Sequence, residues 1–148
     1  MDITASPTVA PIEIRRAIPA PPERVFRAWT DPAALSRWFA PSEEFTVIVH
    51  EADLRVGGRY RIEMRHSSGR QHIAAGTYRE IVPPTRLVFS WGWEGEAYRP
   101  ETVVIVELRP SNRGTDLVLT HRGFSDAKDR NDHERGWIGS MELLAKRV

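Results

Sequence analysis

Tryptophan is the residue type in this sequence best suited to hold a small molecule, because its indole ring offers a large flat apolar surface with one polar edge. The 148 residues contain five tryptophans. Trp91 and Trp93 alternate at the end of an apolar stretch, Trp137 lies in an amphipathic C-terminal segment, and Trp38 lies in the second of two short helical segments. We expect these four rings to face one space, as walls of a cavity for an apolar or aromatic molecule.

Core packing is the alternative for each of these rings. Taken singly, a tryptophan is more often part of a packed core, where its replacement by alanine costs about 3–5 kcal/mol. We nevertheless expect at least one of the four to touch a ligand. The predicted cavity lining consists of Trp38, Phe39, Tyr60, Met64, Trp91, Trp93, His121, Trp137 and Met141.

His121 is the polar residue of greatest interest in this set. It shares a strand face with Leu117 and Leu119 and should point toward the C-terminal helix. A histidine there could hydrogen-bond a ligand or transfer a proton, but buried histidines are more often satisfied by a neighbouring group. His66 and His72 flank a hairpin turn, and two imidazoles are too few for a zinc site.

The sequence contains no recognisable catalytic constellation. It has no cysteine, no G-x-S-x-G elbow and no glycine-rich phosphate loop around the Gly57-Gly58 pair. We therefore predict no metal site and no cofactor, and we rank an enzyme that uses a cavity histidine as the least favoured of three functions.

Composition and charge bear on nucleic acid and membranes as partners of this protein. The formal net charge is +1, from 21 basic and 20 acidic residues, so no strong field favours nucleic acid as a partner. No apolar run reaches membrane-spanning length. The proline-punctuated N-terminus lacks the apolar core of a signal peptide. We expect a flexible tail at residues 1–11, one domain at residues 12–148, a cytoplasmic location, and a monomer or homodimer.

The elements that must position these side chains follow from periodicity. From Asn131 onward, large apolar residues recur at the spacing of one helical face: Trp137, Met141, Leu144 and Val148. Prolines and short apolar faces predict two short helices after a first strand at residues 12–18. Alternation then predicts strands at residues 45–50, 60–66, 73–82, 87–93, 102–108 and 115–122.

Short connections between these strands favour an antiparallel meander. One face of such a sheet must be covered, and the terminal helix is the only long cover that the sequence offers. The predicted fold is therefore α+β: a curved antiparallel sheet of about six to seven strands wrapped on a long C-terminal helix, with two short helices after strand one. This arrangement is the helix-grip fold.

Several short motifs, in order along the chain, resemble the activator of heat-shock-protein-90 ATPase homologue family within the START-like (SRPBCC, birch-allergen-like) superfamily. They are VFRAWTDP at 25–32, WFAP at 38–41, DLRVGG at 53–58, GTYREI at 76–81, residues 84–91, residues 114–124 and GW at 136–137. The resemblance covers nearly all of residues 12–148. It implies the helix-grip fold and a hydrophobic cavity between sheet and helix.

The resemblance leaves two functions ahead of the enzyme. The first is binding of a small hydrophobic molecule, which agrees with the inward aromatic residues. The second is a co-chaperone-like module that stimulates a heat-shock-protein-90 type ATPase. The eukaryotic chaperone activators of this family carry an additional N-terminal domain, whereas only about eleven residues precede the first strand here, so we expect the ligand-binding function.

Overall fold

The computed structural model describes residues 9–95 and 101–148, in which one antiparallel sheet curls around the C-terminal helix. The strands are β1 (Ile12–Ile18), β2 (Phe45–Ala52), β3 (Arg59–His66), β4 (Gln71–Val82), β5 (Arg86–Trp93), β6 (Thr102–Ser111) and β7 (Gly114–Arg122). The helices are α1 (Pro22–Thr30), α2 (Pro32–Leu35) and α3 (Ala127–Arg147). The predicted helix-grip α+β fold is confirmed.

The sheet runs in the order β1-β7-β6-β5-β4-β3-β2. Within residues 9–95 and 101–148, only the β1–β7 pair joins strands that are distant in sequence, and in it Ile14 lies opposite Leu119. The register shifts on β2 between Val49 and Glu51 and on β4 between Tyr78 and Glu80. Such irregularities increase local twist and bend a strand, which helps the sheet curve over α3.

Prolines and aspartates set the helix boundaries. Pro22 occupies the first turn of α1, and the Asp31 side chain accepts a hydrogen bond from the Ala34 N–H at the start of α2 (3.1 Å). The Asp126 side chain caps α3 in the same way, through the Asp129 N–H at 2.9 Å. With this cap, α3 begins at Ala127, two residues before Asp129, where the helical C-terminal stretch is expected to start.

The apolar face of α3 closes the core against the concave side of the sheet. Trp137, Met141 and Leu144 are 4%, 1% and 0% exposed. They belong to one hydrophobic cluster that includes Leu117 and Leu119 of β7. The stripe predicted for this helix therefore faces the sheet as expected, with Val148 only partly buried at its end.

The predicted N-terminal tail falls mostly outside the described residues, which begin at Val9. At its end, the guanidinium of Arg130 donates hydrogen bonds to the carbonyls of Ala10 and Pro11, at 3.2 and 3.1 Å. The approach to β1 is thereby attached to the first turns of α3.

Candidate functional site

A cavity of about 560 Å³ lies between the sheet and the N-terminal half of α3. This volume falls in the range of small-molecule sites, roughly 300–1,000 Å³. Its lining residues come from β2, β3, β4, β5, α3 and the segment between α2 and β2: Phe39, Pro41, Phe45, Met64, His72, Trp91, Trp93, Asp129, Asp132, His133, Arg135, Gly136, Trp137 and Ser140.

Aromatic rings form most of the inner wall, with Trp91 at their centre. Its ring centroid lies 5.2 Å from that of Trp93, 5.4 Å from that of Trp137 and 6.1 Å from that of Phe39. All three pairs are edge-on or tilted, the arrangements that aromatic quadrupoles prefer. Because the rings support one another at these angles, the wall presents flat apolar surfaces to a guest.

His133 holds two of these rings by their polar edges. The indole Nε1 atoms of Trp91 and Trp93 each donate a hydrogen bond to its Nε2 atom, at 3.1 Å. Indole N–H is only a donor, so Nε2 must be unprotonated. The proton of the neutral imidazole therefore sits on Nδ1, which lies 2.8 Å from the Asp129 carbonyl oxygen and donates to it.

His121 holds the third tryptophan in the same way. Its Nδ1 atom accepts a hydrogen bond from Trp137 Nε1 at 3.0 Å, so its proton sits on Nε2 and is donated to Thr102 Oγ1 at 2.8 Å. The Thr102 hydroxyl in turn donates to the Trp91 carbonyl at 3.2 Å. His121 is fully buried, and burial, with a smaller contribution from His133, lowers its pKa to about 3.

The mouth of the cavity is polar. The Asp132 carboxylate accepts a hydrogen bond from Lys128 at 2.8 Å, which lowers the Asp132 pKa, and it also pairs with Arg135. The side chain of Arg135 is 72% exposed. Deeper in, the Ser140 hydroxyl lies 2.9 Å from the Ala40 carbonyl and 3.0 Å from the Gly136 carbonyl, which share its proton. Asp132 and Arg135 thus place charge at the rim.

Five of the nine residues predicted from the sequence lie on the cavity wall: Phe39, Met64, Trp91, Trp93 and Trp137. The other four lie behind it. Trp38 Nε1 donates to the Ala28 carbonyl at 2.9 Å, and the Tyr60 hydroxyl donates to the Ser90 carbonyl at 2.6 Å. Met141 is 1% exposed in the core, and His121 supports Trp137 from behind.

Sequence patterns alone did not point to His133 as a wall residue. It precedes Trp137 by one helical turn, so the apolar stripe of α3 extended backward by four residues passes through it. The sequence places His133 on or beside that stripe, which makes the face not uniformly apolar, but this position alone did not assign it to the cavity wall. Pro41, Phe45 and His72 of the lining gave no recognisable signal.

No group of three or more potential metal-ligating side chains occurs within residues 9–95 and 101–148. No helix in this part of the chain is long and apolar enough to cross a membrane.

Comparisons with known proteins place the chain among relatives of the same fold. A family model described as activator of Hsp90 ATPase homolog 1-like protein matches residues 19–148. None of the curated proteins compared with the chain matches it.

Solved structures give closer likenesses. A protein from Chromobacterium violaceum is 36% identical, with a TM-score of 0.84 over 92% of this chain and 94% of that one. The AHSA1 protein from Silicibacter pomeroyi is 28% identical, with a TM-score of 0.80 over 93% and 96% of the two chains. An AHSA1-like protein from Aeromonas hydrophila is 25% identical, with a TM-score of 0.75 over 94% and 92%.

Proposed function

The chain belongs to the family of activator of Hsp90 ATPase homolog 1-like proteins, and we propose that it binds a small, largely apolar molecule in the cavity between the sheet and α3. The cavity's polar atoms carry this proposal. The indole N–H groups of Trp91, Trp93 and Trp137 are all engaged by histidines. A polar ligand buried against these rings would find no free indole N–H to bond, and burying its polar atoms without partners would be unfavourable. An apolar ligand needs no such hydrogen bonds.

The same geometry orients the guest. An apolar or aromatic portion packs against the rings of Trp91, Trp93 and Phe39, and a polar end lies at the rim beside Asp132 and Arg135, where it stays in contact with water. The proposed binding residues are the five predicted residues on the wall, together with His133, which accepts hydrogen bonds from two of them, Trp91 and Trp93. The predicted cytoplasmic location is part of this proposal.

An NMR titration tests the proposal. The labelled protein is titrated with 2-naphthalenemethanol, a flavonoid and a fatty acid, and amide and indole shifts are followed. We expect saturable shifts concentrated on Met64, Trp91, Trp93 and Trp137. Shifts that are absent with every compound, or that scatter over the outer surface, would contradict a ligand-binding cavity.

A matched pair of variants tests the location of the site. Trp93→Ala removes a half-buried ring from the wall, and we expect it to weaken binding about tenfold or more, equivalent to about 1.4 kcal/mol. Met141→Leu conserves volume behind the wall, so we expect the affinity to stay within about twofold. Equal effects of the two substitutions would place the ligand elsewhere.

A further inference from the structure

We infer that His133 is the positioning residue of the cavity wall, and that ligand binding requires its Nε2 atom to be free of a proton. The second half of this inference rests on the proposed ligand-binding function, whereas the first half concerns the protein without ligand. His133 makes no covalent chemistry in this scheme. It acts through Trp91 and Trp93, whose ring faces form the wall.

Two hydrogen-bond donors share one acceptor atom of His133. Two indole N–H groups point at Nε2 from 3.1 Å, and an imidazole nitrogen has a single lone pair, which both must share. If that nitrogen gains a proton, three N–H groups face one another with no acceptor among them. Both hydrogen bonds are then lost, and unsatisfied buried donors are strongly disfavoured. Trp91 and Trp93 must move away from their wall positions.

The protonated state is attainable because an acceptor remains on the other side of the ring. Nδ1 lies 2.8 Å from the carbonyl oxygen of Asp129 and 3.4 Å from its carboxylate. The Asp132 carboxylate, next to His133 on the same helix, interacts with it electrostatically.

Other strands add two titratable groups near this wall among the described residues. From β7, the His121 ring lies 5.5 Å from the His133 ring, and burial lowers the pKa of His121 to about 3. From β4, the His72 ring lies 5.9 Å from the Trp93 ring. The wall residues of β5, Trp91 and Trp93, carry no charge.

Linkage gives the sign and size of the effect. If a ligand binds only the form with unprotonated Nε2, its affinity is constant at high pH. At pH values where most molecules carry a proton on Nε2, the affinity falls by about tenfold per pH unit, the limit for one excluded proton. The ligand itself must not titrate, so 2-naphthalenemethanol is a suitable probe.

The first measurement uses the protein without ligand. Imidazole nitrogen spectra at about pH 8 should show Nδ1 protonated and Nε2 bare in His133; a proton on Nε2 at this pH would overturn the inference. The indole N–H resonances are then followed from about pH 8 to about pH 4, the range in which histidines ordinarily titrate. We expect those of Trp91 and Trp93 to shift together. Trp38, bonded to a backbone carbonyl, provides a reference that stays still.

His133→Gln and His72→Gln form the variant pair. Glutamine at 133 offers an amide oxygen as acceptor for the indoles but does not titrate in this range, so the shifts of Trp91 and Trp93 should disappear. His72 also lines the cavity and contacts Trp93 by its ring. Its replacement should leave the titration unchanged. Equal pH profiles in the wild type and His133→Gln would overturn the inference.

The second measurement repeats the titration with 2-naphthalenemethanol. We expect the wild type and His72→Gln to lose affinity toward low pH by about tenfold per unit, and His133→Gln to bind equally at all pH values. Circular dichroism at each pH checks that the chains remain folded. If the affinity of the wild type stays constant over the pH range in which the indole N–H resonances of Trp91 and Trp93 shift, the linkage is refuted.

The two parts fail in distinguishable ways. If 2-naphthalenemethanol and the other probes do not bind at about pH 8, the proposed function is contradicted. The positioning role of His133 is then still decided by the spectra of the ligand-free protein: indole shifts that depend on His133 support it, and shifts that do not depend on His133 overturn it.

Discussion

The contact between α3 and the segment that follows α2 should tolerate no side chain at Gly139. A Cβ atom built on Gly139 would lie 2.0 Å from the carbonyl oxygen of Pro41 and 2.9 Å from its carbonyl carbon. Both are backbone atoms, so no side-chain rotation relieves the overlap. In Gly139→Ala, the helix or the Pro41 segment must therefore move.

Three terms set the expected size of this effect. Alanine favours a helix over glycine by about 1 kcal/mol. Relief of overpacking by backbone movement costs about 1–3 kcal/mol. The movement also threatens the adjacent hydrogen bond from Ser140 Oγ to the Ala40 carbonyl (2.9 Å), worth about 1 kcal/mol. We expect Gly139→Ala to lower the free energy of unfolding by about 1–3 kcal/mol.

Gly136, one turn earlier on the same helix, provides the matched control. Its Cβ would meet only the Pro41 Cβ, at 3.8 Å, which is ordinary van der Waals contact. Gly136→Ala should therefore keep the helix-propensity gain and raise the free energy of unfolding by about 0.5–1 kcal/mol.

Equilibrium denaturation in urea, followed by far-ultraviolet circular dichroism, measures both variants. The opposite signs of the two changes are the decisive result. If Gly139→Ala is as stable as the wild type or more stable, α3 does not approach Pro41 as closely as described. The reasoning would then be refuted for the whole helix–loop contact on this side of the cavity.

Three further predictions concern the core and its titration. Burial lowers the pKa of His121 from its ordinary value of 6.5 to about 3 in the folded protein. As the pH falls, the unfolded chain therefore binds a proton at this histidine before the folded chain does. The free energy of unfolding should fall by on the order of 4–5 kcal/mol as the pH drops from about 6.5 to about 3. Denaturation at several pH values should show that slope reduced in His121→Gln; an unchanged slope would contradict the assignment. Leu144→Ala, in the core, should lower the free energy of unfolding by about 2–5 kcal/mol. Ile138→Ala, at a residue that is 51% exposed, should lower it by less than about 0.5 kcal/mol. Similar decreases for the two variants would mean that α3 is rotated about its axis. Asp126→Ala should lower the free energy of unfolding by about 1 kcal/mol, and Asp126→Asn should lower it much less because asparagine also caps helices. Equal decreases for the two variants would argue against a role of Asp126 as the N-cap of α3.

Much of the fold could be predicted because one-sided burial forces a period of two on a strand. In β3, the buried Tyr60, Ile62 and Met64 alternate with Arg61, Glu63 and Arg65, of which only Glu63 is also buried, paired with His50 and Arg65. The alternation therefore located this strand within one residue of its observed bounds. The start of α3 could not be located in this way. Its first turn is polar, and the capping aspartate, Asp126, carries no periodic signal.

The site was only partly predictable because periodicity gives the direction of a side chain but not the depth of the space in front of it. Trp91 and Trp38 were both expected to face inward. Trp91 faces the open cavity, whereas Trp38 packs edge-on against Trp29, with centroids 4.6 Å apart, and fills its space. Which of the two occurs depends on how α1, α2 and α3 pack together, and this is not encoded in the spacing of any one element.

The use of histidine rather than an aliphatic residue at two positions explains how tryptophans can build an apolar cavity. Each indole brings one donor, and a buried donor without an acceptor costs about 1–3 kcal/mol. His133, on the cavity wall, and His121, behind it, accept all three donors of Trp91, Trp93 and Trp137. An aliphatic residue at either position would leave indole edges to seek partners in the cavity. The wall would then favour polar guests, so the two neutral imidazoles are what keep its inner surface apolar.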